Sequence, residues 1–183
     1  MLLQEYIHGL MSKWGCQHAR GPYDLLASLV HDMQPANVLE LGTGAGHSAA
    51  AMMLMLPSAS TLTTINLPNP PSGDPVGREL LPWASDQRLM QLLGDTRDMH
   101  KLIKLDSIDF MFMDSGVDHN YELLAAEWVL YAPTLVDRAL VCVDDLDFPG
   151  GGVRRWWNEL PYERVENGRG PYNFGVFLFK RAA

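Results

Sequence analysis

The chain has 183 residues, of which 47% are hydrophobic, and its 14 basic and 22 acidic side chains give a net charge of −8. This length suits a full sheet between two helical layers, so we expect residues 1–183 to form a single domain. An acidic surface disfavours binding to a phosphate backbone, and no segment reaches the roughly 18 consecutive apolar residues of a membrane span. Composition therefore predicts a cytoplasmic protein without nucleic-acid or membrane partners.

Amphipathic patterns predict two helices before the first strand, at about residues 3–13 and 23–33. We expect residues 1–20 to be an N-terminal helical segment that covers a bound substrate or contacts a second copy of the chain. Because this segment is short, a partner subunit is expected to complete the site. We therefore predict a homodimer.

Short apolar runs alternate with helical stretches along the rest of the chain, which is typical of an α/β fold. The predicted parallel strands are residues 37–41, 61–67, 88–93, 108–113 and 139–143. Two further runs, 162–166 and 174–180, flank the turn-rich sequence NGRGPYN, which has no room for a crossover helix. The pattern therefore predicts a Rossmann-like, doubly wound sheet of five parallel strands plus a C-terminal antiparallel hairpin, with helices on both faces.

A glycine-rich turn joins the first strand to a helix in the sequence VLELGTGAGHSA, residues 38–49. Glycine lets the backbone approach a ligand closely, and the N–H groups at the start of the following helix face the turn. Glu40 stands two positions before the turn, where a carboxylate suits the α-amino group of an amino-acid cofactor better than a pyrophosphate. The GxGxG spacing also differs from the GxGxxG of nicotinamide-binding proteins, with His47 where the last glycine would fall. The turn therefore predicts binding of S-adenosylmethionine.

Acidic residues follow most of the predicted strands, at the edge of the sheet where open parallel sheets bind ligands. Glu40 ends the first strand, Asp95 follows the third, Asp114 the fourth, and Asp144 and Asp145 the fifth. Neighbouring carboxylates at this edge raise each other's pKa and disfavour the fold unless a cation is bound. The oxygens of Asp114, Asp144 and Asp145 suit Mg²⁺ or a similar ion, so we predict a divalent metal site. The alternative is that Asp145 or Asp147 only caps the next turn.

The turn and the acidic residues together resemble those of class I S-adenosylmethionine-dependent methyltransferases, and among them the small metal-dependent O-methyltransferases of the catechol O-methyltransferase type. That family has the motif LELGxxxGxSA, and LELGTGAGHSA at residues 39–49 matches every fixed position. The resemblance extends from about Tyr23 to the end of the chain. It implies transfer of the methyl group of S-adenosylmethionine to an oxygen of a small-molecule acceptor, assisted by a divalent metal, Mg²⁺.

The resemblance also implies roles for individual residues. Glu40 and the glycine turn would hold the methionine part of the cofactor, and Asp95 or Thr96 would bond the exocyclic amine of adenine. The full cofactor-binding set is Glu40, Gly42, Thr43, Gly44, Gly46, Ser48, Asn66, Asp95, Thr96 and Asp114. The metal ligands would be Asp114, Asp144 and Asp145.

Two positions depart from the family's pattern. The second strand ends in Asn66, where the family usually has a carboxylate for the ribose hydroxyls, and a neutral amide loses about 1 kcal/mol of charge-assisted hydrogen bonding. Val117 stands where catechol-type enzymes place a lysine as the base. Asp118 and His119 follow it, and either side chain can take the proton of an acceptor hydroxyl. The catalytic set is therefore Asp118, His119 and Asp114, and the alternative for His119 is to cap the next helix.

Three other functions stay open. A metal-independent N- or carboxyl-methyltransferase would use the paired aspartates to orient its substrate. A non-catalytic S-adenosylmethionine-binding module is consistent with Asn66 and with the undecided base. A nicotinamide-dependent oxidoreductase is disfavoured by the GxGxG spacing.

Overall fold

The computed structural model describes residues 22–71, 73, 75–116, 118–167 and 173–181, so the predicted N-terminal helical segment lies outside the described residues. The helices are α1 (Pro22–Met33), α2 (His47–Met55), α3 (Thr96–Met99), α4 (Tyr121–Tyr131) and α5 (Val153–Glu159). The strands are β1 (Asn37–Leu41), β2 (Thr61–Asn66), β3 (Leu89–Leu93), β4 (Ile108–Met113), β5 (Leu135–Val143), β6 (Arg164–Asn167) and β7 (Phe174–Leu178). Short 3₁₀ turns lie at Arg78–Trp83, His100–Leu102 and Ala132–Thr134.

These strands form one sheet in the order β3-β2-β1-β4-β5-β7-β6. Strands β1 to β5 pair in parallel, and β7 pairs antiparallel to both β5 and β6. The predicted sheet of parallel strands with a C-terminal antiparallel hairpin is therefore confirmed. Strand β1 lies between β2 and β4, so the chain changes direction across the sheet at this point. Open sheets of this kind bind ligands at the carboxyl ends of the strands beside such a switch.

Helices cover both faces of the sheet, as predicted. Alternate residues of β4 belong to two separate cores: Phe110 and Phe112 pack with α1 and α2, whereas Met111 and Met113 pack with α4 and α5. The four side chains are at most 1% exposed. A strand buried on both sides is mostly apolar in sequence, as β1 and β4 are apart from Glu40 and Asp109, and this pattern gives both strands the predicted bounds. None of the described helices is long and apolar enough to cross a membrane.

Strand β5 begins earlier than predicted, at Leu135 instead of Ala139. Its opening residues include the exposed Arg138, which has a positive φ of 66°. The pairing with β4 also shifts register between Ile108 and Phe110. The polar residues Asp137 and Arg138 interrupt the apolar pattern near the start of β5. The sequence pattern therefore does not show where this strand begins.

Candidate active site

The glycine turn between β1 and α2 lies beside the end of β4. Gly42 has a φ of +99°, and a Cβ there would lie 2.0 Å from the carbonyl oxygen of Asp114. Only glycine allows the two strand ends to approach so closely. The Gly42 N–H donates to the Ile65 carbonyl at 2.9 Å, and the Asp114 N–H donates to the Leu41 carbonyl at 2.8 Å. The turn thereby lies next to the first acidic residue of the predicted metal site.

Two adjoining cavities open at this edge of the sheet. The glycine-turn cavity, of about 220 Å³, is lined by residues 42–48 together with Tyr23, Asp114 and His119. The threonine cavity, of about 160 Å³, is lined by Asp95, Thr96, Arg97, Ser115, Asn66 and mostly apolar residues. The residues that line both cavities are Gly42, Asn66, Pro70 and Gly116. Because the cavities share a wall, one elongated ligand can occupy both.

Glu40 lies behind the wall of the glycine-turn cavity. Its side chain is 0% exposed, and its two carboxylate oxygens accept hydrogen bonds from the hydroxyls of Ser48 and Thr64. The Thr43 hydroxyl lies 2.6 Å from the Thr64 hydroxyl and extends this buried chain. Burial raises the pKa of Glu40 to about 7. Ser48 lines the cavity whereas Glu40 does not, so Glu40 orients the Ser48 hydroxyl at the cavity wall.

Asn66 stands at the junction of the two cavities, at the end of β2. Its Oδ1 accepts a long hydrogen bond of 3.4 Å from the Gly44 N–H, and its Nδ2 donates to the Leu67 carbonyl at 3.0 Å. The position suits the predicted contact with a ribose. The side chain offers a neutral amide there, where the resembled family has a carboxylate.

Asp95 and Thr96 line the threonine cavity, and protein partners already hold both side chains. Asp95 caps α3 by accepting the Arg97 N–H at 2.9 Å, and it pairs with the Arg97 guanidinium at 2.5 Å. Arg97 lowers the pKa of Asp95. The Thr96 hydroxyl donates to Glu127 at 2.5 Å. The Thr96 hydroxyl oxygen is oriented by this bond and keeps lone pairs that can accept a further hydrogen bond.

Asp114, His119 and Asp145 meet at the glycine-turn cavity. One ligand atom of each lies within 4.8 Å of the others, a spacing that suits a shared metal ion. Within the described residues no hydrogen bond reaches the Asp114 carboxylate, and burial together with Asp144, Asp145 and Glu40 raises its pKa well above the usual value. Asp144 lies beside this group: its Oδ1 accepts the Asp145 N–H at 2.9 Å, and burial and Asp145 raise its pKa to about 7.

The two candidate bases face different environments. The Nε2 of His119 lies 3.2 Å from the Oδ2 of Asp145, and its ring centroid lies 4.5 Å from that of Phe148. Asp118 is exposed and lines neither cavity. The alternative role for His119 is contradicted, because Asn120 caps α4 through its own side chain.

The glycine-rich turn after β5 packs against the backbone that carries His119. The Gly152 N–H donates to the His119 carbonyl at 2.8 Å, and a Cβ on Gly152 would lie 2.3 Å from the Tyr121 nitrogen. His119 and Asp145 have positive φ values of 42° and 53°, which residues with side chains rarely adopt. The packing of the two turns holds these conformations and thereby brings His119 to Asp145.

Tyr23 also belongs to the site, although no motif marks it in the sequence. It lies at the start of α1, lines the glycine-turn cavity and stacks on His47 with ring centroids 6.1 Å apart. Burial and the charge of Asp114 raise its pKa to about 12. Its hydroxyl therefore stays protonated at neutral pH and is available as a donor.

Glu127 is a second residue of the site that no motif marks. It is 0% exposed and accepts hydrogen bonds from the hydroxyls of Thr96 and Ser115. Its position in α4 provides a usable signal, since it falls between Leu124 and Tyr131 on the buried face of that helix. A carboxylate on an apolar helix face needs polar partners, and here they are the hydroxyls of the cavity wall.

Comparison with curated proteins finds catechol O-methyltransferases. Catechol O-methyltransferase B of Danio rerio is 30% identical over 100 residues, which covers 52% of this chain and 37% of that protein. Catechol O-methyltransferase of Mus musculus is 25% identical over 111 residues, which covers 58% of this chain and 41% of that protein. The chain thus spans about two fifths of the length of these curated relatives. No family model matches the chain.

Solved O-methyltransferase structures share the fold. TomG of Streptomyces achromogenes, solved with SAM, superposes with a TM-score of 0.67 at 20% identity, covering 99% of this chain and 100% of that chain. An O-methyltransferase of Bacillus cereus, solved with SAH, superposes with a TM-score of 0.68 at 17% identity, covering 98% of this chain and 93% of that chain. The predicted Rossmann-like fold is confirmed. In sequence and in fold the chain is similar to S-adenosylmethionine-dependent O-methyltransferases, as the LELGTGAGHSA motif indicates.

Proposed function

We propose that this chain transfers the methyl group of S-adenosylmethionine to an oxygen of a small acceptor, with the help of a divalent metal. The observation that carries this proposal is the glycine-turn cavity, which is lined by the turn at residues 42–48 and also by Asp114 and His119. A methyl donor bound along the turn would therefore lie beside Asp114 and His119, the residues proposed to bind and deprotonate the acceptor. Positioning of this kind can supply on the order of 7–11 kcal/mol of a transfer barrier.

The donor would extend across both cavities. Its methionine part would lie against the glycine turn and the Ser48 hydroxyl, its ribose against Asn66, and its adenine in the threonine cavity beside Asp95 and Thr96. S-adenosylmethionine supplies a methyl group on a positively charged sulfur. The neighbouring carboxylates favour a positive ligand at this end of the cavity.

The acidic group fits a divalent cation. Asp114 and Asp145 offer hard carboxylate oxygens, and one atom of each lies within 4.8 Å of the other and of a His119 ring nitrogen. Asp144 adds negative charge beside them and holds the Asp145 backbone. A bound Mg²⁺ would acidify an acceptor hydroxyl and orient it towards the donor. Asp114 and Asp145 would be its carboxylate ligands. Asp144 would support them by its negative charge and by its hydrogen bond to the Asp145 backbone.

His119 is the better base of the two candidates. It lines the cavity, with its side chain 14% exposed, and Asp145 orients its ring. A base must lie within reach of the proton that it removes, and Asp118 lines neither cavity. We therefore assign proton removal to His119 Nδ1, because Nε2 faces Asp145, and give Asp118 no role in the transfer.

One observation favours a second function, methyl transfer without a metal. His119 and Asp145, whose Nε2 and Oδ2 atoms lie 3.2 Å apart, form a base and its orienting partner without any cation. In this alternative Asp145 holds the imidazole, and the other aspartates orient the acceptor directly. Activity that survives removal of metal ions would favour this alternative.

Calorimetric titration with S-adenosylhomocysteine, with NAD as the control ligand, tests the donor assignment. We expect binding of S-adenosylhomocysteine and none of NAD; the reverse result would contradict the proposal. Transfer of labelled methyl groups to a panel of vicinal diols, with added Mg²⁺ or with chelator, then tests the metal. We expect chelator to abolish transfer and Mg²⁺ to restore it. The predicted homodimer and cytoplasmic location stay predictions.

A further inference from the structure

Glu127 lies beneath the wall of the threonine cavity and takes part in none of the steps above. Its Oε1 accepts the Thr96 hydroxyl and its Oε2 accepts the Ser115 hydroxyl, both at 2.5 Å. Thr96 follows β3 and Ser115 follows β4, so one buried carboxylate joins the two loops that form this wall. Tyr131, one turn further along α4, donates its hydroxyl to the Thr96 carbonyl at 2.7 Å. The helix therefore fixes both the position and the orientation of Thr96.

These contacts determine whether the cavity wall presents hydrogen-bond donors or acceptors to a ligand. A hydroxyl has one hydrogen and two lone pairs, whereas a carboxylate only accepts hydrogen bonds. Thr96 and Ser115 therefore give their hydrogens to Glu127 and keep only lone pairs for the cavity that they line. The Asp95 carboxylate on the same wall is also an acceptor, and Arg97, which lines the cavity too, directs its Nε and Nη2 donors to Asp95. Glu127 thus turns two hydroxyls, which could otherwise rotate to donate, into fixed acceptors.

We propose that Glu127 is a positioning residue that determines nucleobase specificity, because it makes this wall receive the two hydrogens of an exocyclic amine and reject a carbonyl group. The inference rests on the proposed function, in which the cavity holds the adenine of the donor. Adenine has an amine at C6, whereas hypoxanthine has a carbonyl there. A carbonyl opposite two fixed acceptors leaves buried groups unpaired, which lowers affinity by about tenfold or more.

The test compares the binding of S-adenosylhomocysteine and S-inosylhomocysteine, which carry these two bases, by calorimetry at mildly alkaline pH. We expect the wild type to prefer the adenine ligand by at least about tenfold, and Glu127→Gln to reduce this ratio by about fivefold or more. A glutamine amide donates to one hydroxyl, and the hydrogen of that hydroxyl then points into the cavity. Glu122→Gln is the matched control, because Glu122 is exposed on the same helix and the charge change is the same. Its ratio should equal that of the wild type.

Thermal unfolding shows whether Glu127→Gln folds, and Ser115→Ala and Thr96→Val provide the test if it does not. Each removes one acceptor and should weaken the adenine ligand more than the hypoxanthine ligand. An unchanged ratio in Glu127→Gln, an equal loss of both ligands, or a wild type without preference would overturn the inference. If the wild type binds neither ligand, the proposed function fails, and this inference fails with it.

Discussion

The buried carboxylates of the site form two groups that differ in what surrounds their charge. Glu40 and Glu127 each accept hydrogen bonds from two hydroxyls, one on each oxygen. Asp114 and Asp144 instead lie beside each other and beside Asp145, and burial and mutual repulsion raise the pKa of both.

This difference separates two tasks. A buried carboxylate with two hydroxyl partners is satisfied, and it organises the wall of a cavity. Adjacent carboxylates without such partners destabilise the fold unless a proton or a cation neutralises them. We therefore expect the hydroxyl-paired residues to control stability and ligand choice. The aspartates without hydroxyl partners, called the unpaired aspartates below, should control metal binding and turnover.

Asp114→Asn should have the largest effect on activity. Loss of a metal ligand at the reacting end of the cavity should lower methyl transfer by about three orders of magnitude. The same change removes one of several neighbouring negative charges, so the free energy of unfolding should rise by roughly 1 kcal/mol. Rates of labelled methyl transfer and thermal unfolding measure the two effects. Asp147→Asn, at an exposed position close by in the chain, is the control and should change neither. Full activity of Asp114→Asn at saturating Mg²⁺ would contradict the assignment.

Glu40→Ala should show the opposite behaviour, with stability as the main loss. The hydroxyls of Ser48 and Thr64 would lose their acceptor within the core, and a small cavity would remain. The free energy of unfolding in urea should fall by about 2–4 kcal/mol. Glu122→Ala, at an exposed helical position, should change it by less than about 0.5 kcal/mol. If Glu40→Ala unfolds like the wild type, hydroxyl pairing does not distinguish the two groups.

The pH dependence of stability should reveal the raised pKa values of one carboxylate from each group, Glu40 and Asp144. Asp144 and Glu40 have pKa values raised from 3.8 and 4.5 to about 7 in the folded protein. Between these values the folded chain keeps protons that the unfolded chain has released, so the free energy of unfolding falls as pH rises. We expect the free energy of unfolding to fall by several kcal/mol between about pH 4 and about pH 7 in chemical denaturation without metal. Added Mg²⁺ should flatten the slope, because a bound cation favours the charged carboxylates. A stability that rises over this range would contradict the account.

Asn66→Asp should give the smallest effect. A carboxylate at the junction of the cavities would form charge-assisted hydrogen bonds with ribose hydroxyls and tighten S-adenosylhomocysteine binding by about fivefold. The existing contact with the Gly44 N–H would persist, since the carboxylate oxygen also accepts. Calorimetry measures the affinity, and thermal unfolding without ligand should stay unchanged. Weaker binding would show that the ribose does not lie at Asn66.

The fold was largely predictable because its central strands are apolar on both faces. Asn37–Leu41 and Ile108–Met113 are mostly apolar runs, interrupted only by Glu40 and Asp109 and bounded by turn residues, so their bounds follow from the sequence. Strand β5 was less predictable because its first residues are polar and its register against β4 shifts. A bulge of that kind depends on the neighbouring strand, which a local pattern does not contain.

The site was predictable only where its residues follow strands. Parallel strands end at one edge of the sheet, so Asp114 and Asp145 meet there, as their positions indicate. The orientation of His119 depends on a positive φ and on packing against Gly152, and neither is visible in the sequence. The helical spacing of Glu127 between Leu124 and Tyr131 indicates burial, but its contact with Thr96 depends on tertiary packing that the sequence does not show.

Mn²⁺ binding, followed by electron paramagnetic resonance in the wild type, Asp114→Asn and Asp147→Asn, tests the central claim most directly. The unpaired aspartates should bind one ion per chain in the wild type and in Asp147→Asn, and Asp114→Asn should lose it. Absence of Mn²⁺ binding by the wild type, or equal binding by all three proteins, would contradict the claim that the unpaired carboxylates form a metal site.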